Sequence, residues 1–166
     1  MGTRTHAEDF EIVASAMDAV ESRDPGSVRL TVIGVREHDR TDRSWLQVRS
    51  APDFIGASYP GFVHWLHGQC GFDAGVAPLA STEFNACKSH IKVLDYAAMG
   101  LPTLASNVPA YAHALTHDLN CFLTENDPDS WVAAIEELHD QARRARVALQ
   151  ASELIAPARF IEGAQA

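Results

Sequence analysis

The stretch EFNACKSHIKVLDYAAMGLPTLAS, residues 83–106, decides the fold. It predicts a loop, a helix over 86–99, a glycine stop and a buried strand over 101–106. Asn85 suits the N-cap, because its side-chain oxygen can accept a bond from a free amide of the first turn. Gly100 supplies the left-handed position that ends the helix, and Pro102 prevents its resumption. Ile91, Leu94 and Ala98 would form one apolar stripe, with Lys88, Lys92 and Asp95 on a polar stripe beside it. Two readings fit that polar stripe. Lysines near a helix N-terminus, where free amides point outward, suit an anion such as a diphosphate, and a carboxylate further on suits sugar hydroxyls. A solvated helix face carrying a Lys92–Asp95 ion pair accounts for the same spacing.

Outward from this segment, strand and helix patterns alternate. Residues 5–8 (THAE) form a capping box that opens a helix over 7–22, with Phe10, Val13, Met17 and Val20 on one face. VRLTVIG at 28–34 is β-branched and almost continuously apolar, as in a strand covered on both faces. A shorter strand is expected over 45–48, a helix over 61–69 and a third strand over 73–78. A short helix over 109–116 and a strand over 120–124 follow. Asp127-Pro128 caps a helix reaching about Gln141, and a last helix runs to about Leu154. This alternation predicts βαβ units, hence an α/β fold with a Rossmann-like parallel sheet flanked by helices. The whole of 1–166 reads as a single domain, with 155–166 as a C-terminal extension. In such sheets ligands sit beyond the carboxyl ends of the strands. That would gather residues 2–6, the loop after Pro78 and residues 107–111 around one crevice.

A length of 166 residues suffices for one core, and 46% apolar with 21% charged residues is ordinary for a globular protein. A net charge of −9 argues against nucleic acid as a partner, since that role calls for a basic face. Cys70, Cys87 and Cys121 show no CxxC spacing, so free thiols in a reducing, cytoplasmic setting are expected. No apolar run approaches the roughly 18 residues of a membrane span, and no secretory leader is visible.

The wording Asn85-x-x-Lys88-Ser89-x-x-Lys92-x-x-Asp95-Tyr96-x-x-x-Gly100-Leu101-Pro102, followed by Ala105-Ser106, resembles the donor-binding segment of family 4 (group 1) retaining glycosyltransferases of the GT-B type. The likeness extends upstream to residues 73–79 and to Thr5-His6-x-x-Asp9, and downstream to residues 107–111 and Trp131. The resemblance implies a nucleotide-sugar-binding domain, the C-terminal half of a GT-B fold. Its donor would be a UDP- or GDP-sugar passed with retention to an acceptor hydroxyl. No metal and no further cofactor are implied. The family's first strand and its acceptor-binding N-terminal domain would precede residue 1, so the chain reads as part of a larger enzyme, inactive in transfer by itself. An unpaired sheet edge left by the missing strand would let two copies dimerise.

The resemblance casts Lys88 and Lys92 as the catalytic cations that neutralise the leaving diphosphate. Ser89 would add a hydroxyl donor, Asp95 would hold the ribose hydroxyls, and Arg4 and His6 would lie near the phosphates. The family's Glu-x7-Glu pair falls on Cys87 and Asp95, so the first glutamate is absent and the second is one methylene shorter. Glu83, one turn earlier, is the substitute at hand. That departure supports the alternative of a non-catalytic Rossmann-like binding domain. His64-x-x-His67 with Cys70 has helical metal spacing but lacks a fourth ligand, so a surface histidine pair is the plainer reading.

Overall fold

The computed structural model describes residues 7–33, 43–52 and 58–160. Arg4, His6 and the Thr5 cap lie outside them, as does the expected contribution of residues 2–6 to a crevice. The chain divides into two compact units, Met1–Cys70 and Gly71–Ala166.

The first unit contains α1 (Ala7–Arg23), β1 (Leu30–Ile33), β2 (Leu46–Arg49) and α2 (Tyr59–His67). β1 and β2 pair in parallel, Leu30 opposite Leu46 and Ile33 opposite Arg49. Val13, Met17 and Val20 of α1 are buried, as their spacing predicts. Trp45, also buried, donates its indole N–H to Asp18 at 2.8 Å. The Arg43 guanidinium lies 5.3 Å from the Trp45 ring centroid and 5.9 Å from that of Phe10, and pairs with Asp18 at 3.4 Å. Pairing and stacking together fix where the chain enters β2. Along β1 only Ile33 is fully buried, so this strand is half-covered rather than enclosed on both faces.

The second unit contains β3 (Gly75–Ala77), α3 (Glu83–Ala86), α4 (Ile91–Ala98), β4 (Thr103–Ser106), β5 (Phe122–Thr124), α5 (Pro128–Glu137) and α6 (Gln141–Phe160). Its strands form a parallel sheet in the order β3-β4-β5. β4, the central strand, is buried throughout. The strands are short and the connections between them helical or looped, as parallel pairing demands. Residues 109–116 form a chain of turns held by bonds such as Leu115 N–H to Tyr111 C=O at 3.0 Å, not the expected helix. Val108, Tyr111 and Leu115 are buried at helix-like spacing, which is what the sequence pattern registers, but the backbone bonds mix three- and four-residue steps and close only single turns. α5 begins as expected: Asp127 accepts from the Ser130 amide at 2.9 Å, and Trp131 is completely buried.

The expected helix over 86–99 is instead two helices with a break at residues 87–90. Thr82, not Asn85, is the N-cap of α3, accepting from the Asn85 amide at 3.1 Å. Asn85 lies inside α3 and turns its amide back to Ala80 C=O at 2.8 Å. Cys87 and Lys88 then bond only three residues back, to Phe84 and Asn85, which tightens the turn and ends it. Nothing apolar from Ala86 to Ser89 faces the core, so no burial holds a continuous helix together here. The break also changes the phase of α4. Its buried residues are Val93, Asp95 and Ala97, while Ile91 and Ala98, assigned to the apolar stripe, are exposed.

The end of α4 is as the sequence predicts. Gly100 has φ +73°, its amide bonds to Ala97 C=O and that of Leu101 to Tyr96 C=O, both at 3.0 Å, a Schellman closure. Tyr96 locks α4 to the sheet. Its ring lies on Gly75, and its hydroxyl donates to Val76 C=O at 3.3 Å. Burial, helped by the neighbouring Asp95 carboxylate, pushes the Tyr96 phenol up to about 12. A Cβ at position 75 would come within 2.2 Å of the ring. Gly75→Ala should therefore destabilise the chain by about 2 kcal/mol or more in urea unfolding. A change below about 0.5 kcal/mol would show that the ring does not press on β3.

Candidate functional site

The carboxyl ends of β3, β4 and β5 are joined by a ring of side-chain bonds. The Leu79 amide donates to Ser106 Oγ at 2.9 Å, and Ser106 Oγ donates to Asn126 Oδ1 at 2.6 Å. Asn126 Nδ2 closes the ring on Leu79 C=O at 2.8 Å. Ser106 is completely buried, so its hydroxyl needs partners within the protein and has them, one of them on the exposed Asn126. Beside it Asn107 donates to Glu125 Oε1 at 2.6 Å. The loop after β3 thus leaves a rigid base, and the lysine segment rises from it.

Lys88 stands in the break before α4 and Lys92 in the first turn of α4, so they do not share one helical stripe. Both are half-buried. The Lys88 ammonium is shielded from solvent and lies 5.3 Å from the centroid of the Phe84 ring. Lys92 and Asp95, three residues apart on α4, share a face. Asp95 is only 2% exposed, so the carboxylate proposed for the ribose is set into the unit rather than presented on it. Glu83, in the first turn of α3, and Ser89, in the break, are exposed. Cys87 is an exposed free thiol at the C-cap of α3, whereas Cys121 is buried, its thiol pushed up to about 12 by desolvation.

One feature of the segment has no signature in the sequence. His90 is the N-cap of α4 but makes no side-chain capping bond. Its ring meets that of His113 edge-on, centroids 5.4 Å apart. The turn segment after β4 therefore reaches the start of α4. Burial, and then the neighbouring His113, lower the His90 pKa from its ordinary value. Lys88 in the break, Lys92 in the first turn of α4 and the His90–His113 pair at its start all belong to or meet the connection from β3 to β4, and a helix start bearing basic side chains suits an anion. In the first unit His64, His67 and Cys70 are exposed, and among the described residues no three metal-ligating side chains converge.

The family model described as "Glycosyl transferases group 1" matches residues 1–141. Comparison with curated proteins finds no match. Among solved structures, the chain is similar to Anabaena HepE in complex with UDP and glucose (TM-score 0.59, 14% identity, 93% of this chain and 44% of HepE covered). HepE in complex with UDP-glucose gives TM-score 0.58 and 15% identity over 90% and 44% of the two chains. A Rickettsia africae glycosyltransferase gives TM-score 0.61 and 12% identity over 87% and 39%. The chain therefore spans less than half the length of these proteins, and the likeness is one of fold: mixed α/β, parallel sheets flanked by helices. No helix among the described residues is long and apolar enough to cross a membrane.

The His90–His113 contact gives a pH test. A lowered folded value means the fold favours neutral His90, so its contribution is complete above the ordinary value of 6.5 and lost as pH falls through the folded value. An NMR titration should place the His90 midpoint below 6.5, and His113→Gln should move it back up. A midpoint at 6.5 that is indifferent to His113 would dissolve the pair.

Proposed function

Since the chain belongs to the group 1 glycosyltransferases, we propose that it is the nucleotide-sugar-binding part of a family 4 enzyme that transfers a sugar with retention. The observation that supports this reading is the position of Lys88 in the break before α4 and of Lys92 in its first turn, on the connection from β3 to β4. The diphosphate docks there. The two ammonium groups, with the free amides of α4, offset the charge that develops on the departing nucleoside diphosphate. These cations do the work that a divalent metal does in other phosphate sites. Ser89 adds a hydroxyl donor.

Asp95 is assigned to the ribose hydroxyls. Its burial means that the nucleoside is received in a recess at α4, or that Lys92 swings aside to admit it. Glu83 takes the sugar contact vacated by Cys87. The acceptor is held by a separate domain, in keeping with the share of HepE that this chain leaves uncovered. Closure of the two domains excludes water and favours transfer over hydrolysis. The exposed Cys87 in the glutamate position is the one observation favouring a binding domain without transfer.

HepE is complexed with UDP-glucose, which makes uridine nucleotides the first probes. Calorimetry on the folded chain should show binding of UDP or GDP; no heat with either would remove the reading. In the full-length protein, Lys92→Ala should cut turnover by about 100-fold, the scale of losing one charge-stabilising group, with stability within about 0.5 kcal/mol of the parent. A parallel loss of stability would return Lys92 to a structural role.

A further inference from the structure

His90 occupies the N-cap of α4, from which a side chain ordinarily accepts a bond from a first-turn amide, yet it makes none. Its Nδ1 is shielded from solvent and has no hydrogen-bond partner among the described residues. A shielded polar atom without a partner calls for an explanation. The charged ring must carry an N–H at Nδ1, and nothing there accepts it. His113, on the turn segment after β4, meets the same ring edge-on. Burial and His113 together favour the neutral form, and the carboxylates of the segment, Asp95 on α4 and Glu83 on α3, do not offset them. Lys88 and Lys92 stand two residues away on either side, and the start of α4 adds the positive end of its dipole. On α6, which packs against α4, Arg143 and Arg146 are engaged with Asp118 and Arg144 with Asp73, while Glu153 lies further along the helix. β3 and β4 contribute no titratable side chain.

We propose that His90 takes up a proton from solvent when the diphosphate of a nucleotide sugar settles at the start of α4, so that proton and donor binding reinforce each other. The inference rests on the donor-site reading above and adds a proton to the donor-bound state. Without ligand, the half-buried ring sits in a basic neighbourhood that disfavours its charged form. A diphosphate brings the opposite charge to the same helix start, and an opposite charge nearby strengthens the hold of an imidazole on a proton. The ring need not touch the phosphate, because charges interact at a distance across a partly desolvated helix end. Linkage makes the effect reciprocal: the factor by which the donor strengthens proton binding is the factor by which the proton strengthens donor binding.

The test is the NMR midpoint of His90 with and without UDP-glucose, GDP-glucose being run in parallel, together with calorimetry of the same ligands across pH. The phosphates of a sugar nucleotide stay fully ionised near neutrality, so any proton taken up goes to the chain. Saturating ligand should raise the His90 midpoint by about one pH unit, and affinity should rise by up to roughly tenfold as pH falls from about 8 to about 5, the equivalent of that shift. Calorimetry in buffers of different ionisation enthalpy should show net proton uptake on binding, and His90→Gln should abolish it. A bound ligand that leaves the His90 midpoint in place, or an uptake that survives His90→Gln, overturns the coupling and leaves the donor site standing. Neither sugar nucleotide bound by the folded parent overturns the donor-site reading and the coupling with it.

Discussion

The second unit depends on the buried hydroxyl of Ser106. It accepts from the chain just after β3, it belongs to the last residue of β4, and it donates to Asn126 just after β5. Three short parallel strands thereby acquire a common end. Strands of three or four residues have few ladder bonds to hold their register. A slip of register would leave the buried Ser106 hydroxyl and the Leu79 amide without these partners, which adds to what apolar packing alone specifies. The loops that bear the lysines and the histidine pair start from this fixed plane.

The start of β3 is held by Tyr96 on Gly75. Together the two contacts determine the height and rotation of α4, hence where Lys92 and the first free amides are presented. The break at residues 87–90 then places Lys88 off the helix, beside Phe84, so the two cations approach from different backbone directions. A cation pair on one straight helix would lie along a line. A pair divided between a break and a helix start can face a common point, which suits a compact anion.

The α/β class was legible because its signals are local. Alternating apolar runs, the Asp127-Pro128 cap and the Gly100-Leu101-Pro102 stop each carry their meaning within a few residues, and each is found in the structure. The division of the central helix was not legible. Asn85 and Thr82 are both good caps, and the choice between them depends on whether the Asn85 amide finds Ala80, a question of loop geometry. The inward turn of Asp95 was not legible either, because the face of α4 that meets the sheet is set by packing such as that of Tyr96 on Gly75. The Ser106–Asn126–Leu79 ring and the His90–His113 pair join residues 20 or more apart that share no period, so no pattern announced them. The lysines were singled out by the wording of their segment; the structure puts Lys88 in the break and Lys92 in the first turn of α4.

The central claim is that the lysine-bearing segment receives the diphosphate of a nucleotide. Its most direct measurement is an amide NMR titration of the chain with UDP. The account predicts that the largest shifts fall on residues 87–93, where the break meets the first turn of α4, with His113 responding through His90. Saturable shifts elsewhere that leave those amides in place would contradict it.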